Sequence, residues 1–128
     1  MSSPLIEQLI TRHGCARLDA ASLDAFILAP GVGALVVTGD PATNLESDDM
    51  AVIVPELIKT FPGAFRTGVV DRDLEKEVRH RFDVWATPAL IFVEAGRMRV
   101  ALPKVRDWNE YLVEMHRMLD LPSPSLTH

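Results

Sequence analysis

The sequence predicts an α/β fold whose mixed central sheet carries helices on both faces, and three observations lead there. Short apolar runs bounded by turn residues alternate with stretches of helical periodicity from Pro4 to Phe82, the pattern of parallel strands joined by helices. The last two strand-like runs, residues 88–93 and 98–102, are separated only by Glu94, Ala95, Gly96 and Arg97, a hairpin signal that adds antiparallel strands. From Asp107 onward apolar residues again recur at helical spacing, so a closing helix returns to cover the sheet.

Taken in order, Ser3-Pro4 is a cap residue followed by proline at the first helical position. Leu5, Ile6, Leu9 and Ile10 then make one apolar face, and Gly14 can end the helix. Residues 15–18 form a short strand. Residues 22–29 form a second helix with Leu23, Phe26 and Ile27 inward, stopped by Pro30-Gly31. Residues 34–38 are an apolar run flanked by glycine, a buried strand, and a polar loop opens at Gly39-Asp40-Pro41. Ser47 or Asp48 caps a third helix that runs to about Thr60, with Pro55 inside it as a kink. Residues 66–70 are a strand, and Asp73 starts a helix carrying Leu74 and Val78. Pro88 stands at the first position of the next strand, where a missing N–H does little harm. Asp107 with Glu110 has capping-box spacing, and Trp108, Tyr111, Leu112, Met115 and Leu119 follow at helical spacing. Residues 1–119 are read as the domain and residues 120–128 as a disordered Pro/Ser-rich tail.

Length and composition narrow the function. A chain of 128 residues, 48% hydrophobic and 24% charged, is one globular domain. A formal net charge of -5 argues against nucleic acid as a partner. No run approaches a membrane span, and no secretory leader is visible, so a cytoplasmic location is expected. The single cysteine excludes an internal disulfide. His13, His80, His116 and His128 have no metal-ligand spacing, and neither metal nor cofactor is expected.

A Thr87-Pro88 step entering a buried strand, followed by strand, glycine turn, strand and helix, resembles the C-terminal half of the thioredoxin fold. The resemblance implies a cis proline, preceded by a residue that offers its backbone to an extended peptide. It also implies a Cys-x-x-Cys pair eight residues ahead of the helix proline. Counting back from Pro55 gives Ser47 and, three residues on, Met50. Neither a hydroxyl nor a thioether can carry disulfide exchange, so the dithiol position is redox-dead. Cys15, far away on the first strand, reads either as a small core residue or as a lone reactive thiol. Asp48 and Asp49 read either as carboxylates solvated at a helix N-terminus or as an acid/base pair.

Gly39-Asp40-Pro41, Glu46-Ser47-Asp48-Asp49, Pro55-Glu56-Leu57, Phe61-Pro62, Arg81-Phe82, Thr87-Pro88-Ala89 and Trp108-Asn109-Glu110 come in an order that resembles the HyaE/HupG/HoxO family of nickel–iron hydrogenase expression proteins. The resemblance spans about residues 5–119. It implies a thioredoxin-like chaperone without a dithiol. The implied client is the hydrogenase small-subunit precursor, held by its twin-arginine signal peptide before export, with other hydrogenase maturation proteins as further partners. The family supplies no catalytic residues. Position in the fold nominates Glu46, Ser47, Asp48, Asp49, Glu56, Trp85, Thr87 and Pro88 as the peptide-binding set. The rival expectation is a thioredoxin-like oxidoreductase that uses Cys15, and a third is a structural subunit without a client.

Overall fold

A computed structural model of the chain describes residues 3–122. The elements follow the expected order: α1 (Pro4–Thr11), β1 (Ala16–Leu18), α2 (Leu23–Leu28), β2 (Val32–Val37), α3 (Met50–Thr60), β3 (Arg66–Val70), α4 (Glu75–Phe82), β4 (Ala89–Glu94), β5 (Arg97–Pro103) and α5 (Trp108–Met118). Single 3-10 turns, Ser47–Asp49 and Arg72–Leu74, lead into α3 and α4. The five strands form one sheet in the order β1-β3-β2-β4-β5. β1, β3 and β2 are parallel, β4 runs antiparallel to β2, and β5 runs antiparallel to β4. The fold is thioredoxin-like and has no Cys-x-x-Cys pair.

Alternation along the central strands sorts the core into two layers. Ala34, Val36, Leu90 and Phe92 face α1, α3 and α5 through Ile6, Leu9, Met50, Val54, Leu57, Tyr111 and Met115. Leu35, Val37, Ile91 and Val93 face α2 and α4 through Leu23, Ile27 and Val78. Both faces of the sheet are therefore covered, which is why its central strands read as continuous apolar runs.

Local chemistry fixes the ends of these elements. Ser3 caps α1 as expected, its Oγ accepting the Ile6 N–H at 3.1 Å. β2 begins at Val32, earlier than expected, because Val32 and Gly33 pair with Glu94 and Val93 of β4; glycine at 33 also makes room for Arg66, since a Cβ there would lie 3.0 Å from the guanidinium carbon. Arg66 in turn donates to the carbonyls of Phe26, Ala29, Pro30 and Gly31 and closes α2. The capping box expected at Asp107 does not form: the Asp107 side chain makes no cap bond, and Glu110 pairs with Arg106 at 3.4 Å instead. α5 ends with Asp120 at φ 57 and Leu121 N–H on the His116 carbonyl, the bonding of a Schellman cap. Of the expected tail, residues 123–128 lie outside the described residues.

The antiparallel register places Val37 opposite Ala89. The loop leaving β2 and the Thr87-Pro88 segment entering β4 therefore meet at one end of the sheet. β3, parallel to β2, delivers Arg72 and Glu75 to the same end.

Candidate peptide-binding site

The loop from β2 to α3 is built by its own side chains. Asp40 accepts the Ala42 N–H on its carboxylate at 2.9 Å, and its carbonyl accepts the Asn44 N–H at 2.8 Å. Asn44 then uses both ends of its carboxamide. Oδ1 accepts the Glu46 N–H at 3.0 Å, and Nδ2 donates to the Thr87 carbonyl at 2.8 Å. That second bond ties the loop to the proline segment, whose Thr87–Pro88 peptide is cis. Gly39 at φ +77 completes the junction. A Cβ on it would lie 2.6 Å from the Thr87 hydroxyl and 3.4 Å from the Ser47 hydroxyl, so only glycine admits the three segments so closely.

The nominated residues divide by exposure. Ser47 and Pro88 are buried and form the floor, and the Ser47 hydroxyl has no hydrogen-bond partner among the described residues. Met50, at the second dithiol position, is core. Asp48 is half-buried and accepts the Ser3 hydroxyl, so it joins the site to the start of α1. Glu46 is half-buried too, with one buried carboxylate oxygen unpartnered. Asp49 is exposed and lies in no ion pair among the described residues, whereas Glu56 pairs with Lys59 at 3.7 Å, in the second half of α3. Trp85 is 70% exposed. Its backbone is held by Arg79, which donates to the Val84 and Trp85 carbonyls at 3.3 and 2.9 Å.

Four contributors escaped the sequence reading. Asn44 is the link just described. Leu45, beside it, is 94% exposed; its signal was a lone large apolar residue inside a polar loop. Arg79 carries no sequence signal for its role. Glu75 is buried beneath the loop, where its Oε2 accepts from the Thr38 hydroxyl at 3.3 Å and the Gly39 N–H at 3.2 Å. Burial pushes its carboxyl above the usual range, against the opposing pull of Arg72 and of the Gly39 and Thr38 donors.

Cys15 is buried in the core with its thiol pushed up to about 11 by burial, which leaves almost no thiolate near neutrality. Among the described residues no group of three His, Cys, Asp or Glu is placed to hold a metal ion, and no helix is long and apolar enough to cross a membrane.

A family model for the Hydrogenase-1 expression protein HyaE matches residues 5–111. The chain belongs to this family of hydrogenase expression proteins. Among its relatives is the hydrogenase expression/formation protein HupG of Rhodobacter capsulatus, 38% identical over 117 residues that cover 91% of this chain and 85% of that one. The expression/formation protein HoxO of Cupriavidus necator is 36% identical over 122 residues, 94% of this chain and 76% of its own. The crystal structure of a putative family member, HupG of Rhodopseudomonas palustris, superposes with a TM-score of 0.57 at 33% identity, over 82% of this chain and 95% of the other. Membership in the family connects the fold with hydrogenase formation.

Proposed function

We propose that this protein is a non-catalytic, redox-inactive maturation chaperone. In this reading it holds the precursor of a nickel–iron hydrogenase small subunit by its twin-arginine signal peptide, in the cytoplasm, before export. The observation that carries the reading is the surface around the Asn44–Thr87 bond. Two large apolar side chains, Leu45 and Trp85, stand 94% and 70% exposed there. Of the acidic side chains here, Asp40 lies 3.9 Å from Arg72 and Glu56 3.7 Å from Lys59, which leaves Glu46, Asp48 and Asp49 in no ion pair among the described residues. An apolar segment led by arginines complements such a face. Carboxylates meet the guanidinium fork with paired hydrogen bonds, and the apolar side chains take the rest.

Magnitudes decide which part binds. Exposed ion pairs contribute about 0.2–1 kcal/mol each, whereas micromolar affinity needs about -8 kcal/mol. Covering a Leu and a largely exposed Trp contributes about 2 and about 3 kcal/mol at roughly 25 cal/mol per Å². Apolar contact, with the client's own buried surface added, is therefore the larger share. Ser47 and Met50 at the dithiol position and the protonated, buried Cys15 support binding without thiol exchange.

Capture from a hydrogenase-producing cell tests the reading. The tagged protein is expected to retain the small-subunit precursor, and Leu45→Ser with Trp85→Ala to release it. Retention of no hydrogenase component would overturn the proposal.

A further inference from the structure

We infer that the cavity where β1 begins beside β3, at the opposite end of the sheet from the Asn44–Thr87 junction, is a second binding site, and that it takes a small aromatic carboxylate. This does not rest on the chaperone reading. The cavity has a volume of about 370 Å³, within the roughly 300–1,000 Å³ of small-molecule sites. It lies at the start of β3, whose other end leads to Arg72 and Glu75 at the junction, so about 15 Å of strand separates the two.

An interruption of the ladder opens the cavity. Gly14, at φ +72, turns the chain back so that the Cys15 N–H bonds the Leu9 carbonyl at 3.0 Å. β1 therefore begins only at Ala16, opposite Gly68. The Asp71 N–H bonds the Leu18 carbonyl, which fixes the N–H groups of β3 that face β1 as those of Asp71, Val69 and Thr67. The rung that Thr67 would make, to the Gly14 carbonyl, is not formed, so the Thr67 N–H has no partner among the described residues. The hydroxyl of the same buried side chain makes no hydrogen bond there either. A Cβ on Gly14 would meet nothing within 4 Å, so the gap is open space.

The walls around these donors choose the guest. Phe26, Ile58 and Phe65 supply apolar surface. Both rings are held in place, Phe26 by the Arg66 guanidinium 4.8 Å from its centroid and Phe65 edge-on to Phe92 at 5.7 Å. Rings so fixed suit a flat aromatic body. His13, exposed at the rim, can add a ring N–H. Arg66 commits its terminal nitrogens to the carbonyls of Phe26, Ala29, Pro30 and Gly31, and its Nε is buried without a partner. It therefore gives the wall a positive charge that no carboxylate meets. In a chain of formal net charge -5, the described residues lining this cavity include a guanidinium and no acid. Unpartnered donors, a cation and two rings together describe a guest with an aromatic body and an anionic acceptor head. A cationic or wholly apolar guest would leave the Thr67 N–H bare.

Equilibrium dialysis of the full chain against 2-naphthoate tests this, with 2-naphthamide as the neutral analogue of the same shape. Wild type is expected to bind one equivalent of naphthoate with a Kd below about 100 µM, and the amide at least tenfold more weakly. Ala16→Phe, at an exposed lining position, fills the mouth and should weaken naphthoate at least tenfold. Thr67→Val removes only the hydroxyl and should weaken it at least threefold. Saturating naphthoate should raise the melting temperature of wild type and leave that of Ala16→Phe unchanged, with the variant's fold checked by circular dichroism. Should Ala16→Phe misfold, His13→Gln on the exposed rim takes its place, with a loss of at least threefold expected. No saturable binding below about 1 mM would overturn the inference. Equal affinity for acid and amide would overturn it too, as would binding that a folded Ala16→Phe, or His13→Gln in its place, leaves intact.

Discussion

Replacing Arg66 with methionine should cost about 3 kcal/mol of folding stability, although the residue is far from the candidate site. Its guanidinium donates to four carbonyls at the C-terminal end of α2, at distances from 2.6 to 3.2 Å, and lies 4.8 Å from the Phe26 ring centroid. The bonds to Pro30 and Gly31 are exposed, and water replaces them at little cost. Those to Phe26 and Ala29 are part-buried. The Ala29 carbonyl keeps a second donor, the Ala95 N–H at 3.2 Å, so the Phe26 carbonyl is the one left bare. Two part-buried bonds at about 1 kcal/mol each, with about 0.5–1 for the cation over the ring, give roughly 3 kcal/mol. Methionine keeps the apolar stem, which confines the change to the guanidinium. For a chain of this size the melting temperature should fall by about 12 °C. Thermal and urea unfolding followed by circular dichroism measure it, with Arg66→Lys as control. A lysine keeps the charge near the helix end but has one point donor, and should recover about 1 kcal/mol. A loss below about 1 kcal/mol for methionine, or a lysine variant as stable as wild type, would refute the assignment of Arg66 as the clamp on α2.

Two further outcomes follow from the buried groups. Because burial raises the Glu75 carboxyl, the folded chain holds that proton more tightly than the unfolded one. Its contribution to stability is full below the ordinary carboxylate value and is lost as pH rises through the folded value. Glu75→Gln keeps an acceptor for Thr38 and Gly39 and cannot ionise, so the urea midpoint of the variant relative to wild type should climb from about pH 4 to pH 8; a constant difference would contradict this. Cys15, with its thiol pushed up to about 11, should resist iodoacetamide in the native chain at pH 8 and react once urea unfolds it. Cys15→Ala should leave client binding unchanged, and rapid alkylation of the native chain would contradict the burial.

The fold was legible because its signals are local and repeated. Apolar runs marked the strands, Ser3-Pro4 and Pro30-Gly31 marked helix ends, and Ala95-Gly96 marked the hairpin, where both residues have positive φ. The meeting of the loop after β2 with the Thr87-Pro88 segment was legible for a similar reason, since Pro55 and Thr87-Pro88 are landmarks for the candidate site. What stayed hidden depends on contacts between residues far apart in the chain. Nothing near Asn44 in sequence says that its amide reaches Thr87, and nothing near Glu75 says that it is buried under Gly39. The Asp107 capping box failed because Arg106, a neighbour outside the motif, draws Glu110 to itself. Val52 shows the converse: it fits the apolar pattern of α3, yet it is 65% exposed, because only one stripe of a helix faces the sheet.

The central claim is that this surface recognises the signal segment of a hydrogenase small-subunit precursor, mainly through apolar contact. The most direct measurement is the affinity of the purified protein for that precursor and for the same subunit lacking its signal segment, each titrated from low to high salt. The account expects the precursor to bind at least a hundredfold more tightly, with only a modest loss of affinity as salt rises, since exposed charges supply the smaller share. Equal affinity for the two forms, or binding of the precursor that salt abolishes, would contradict it.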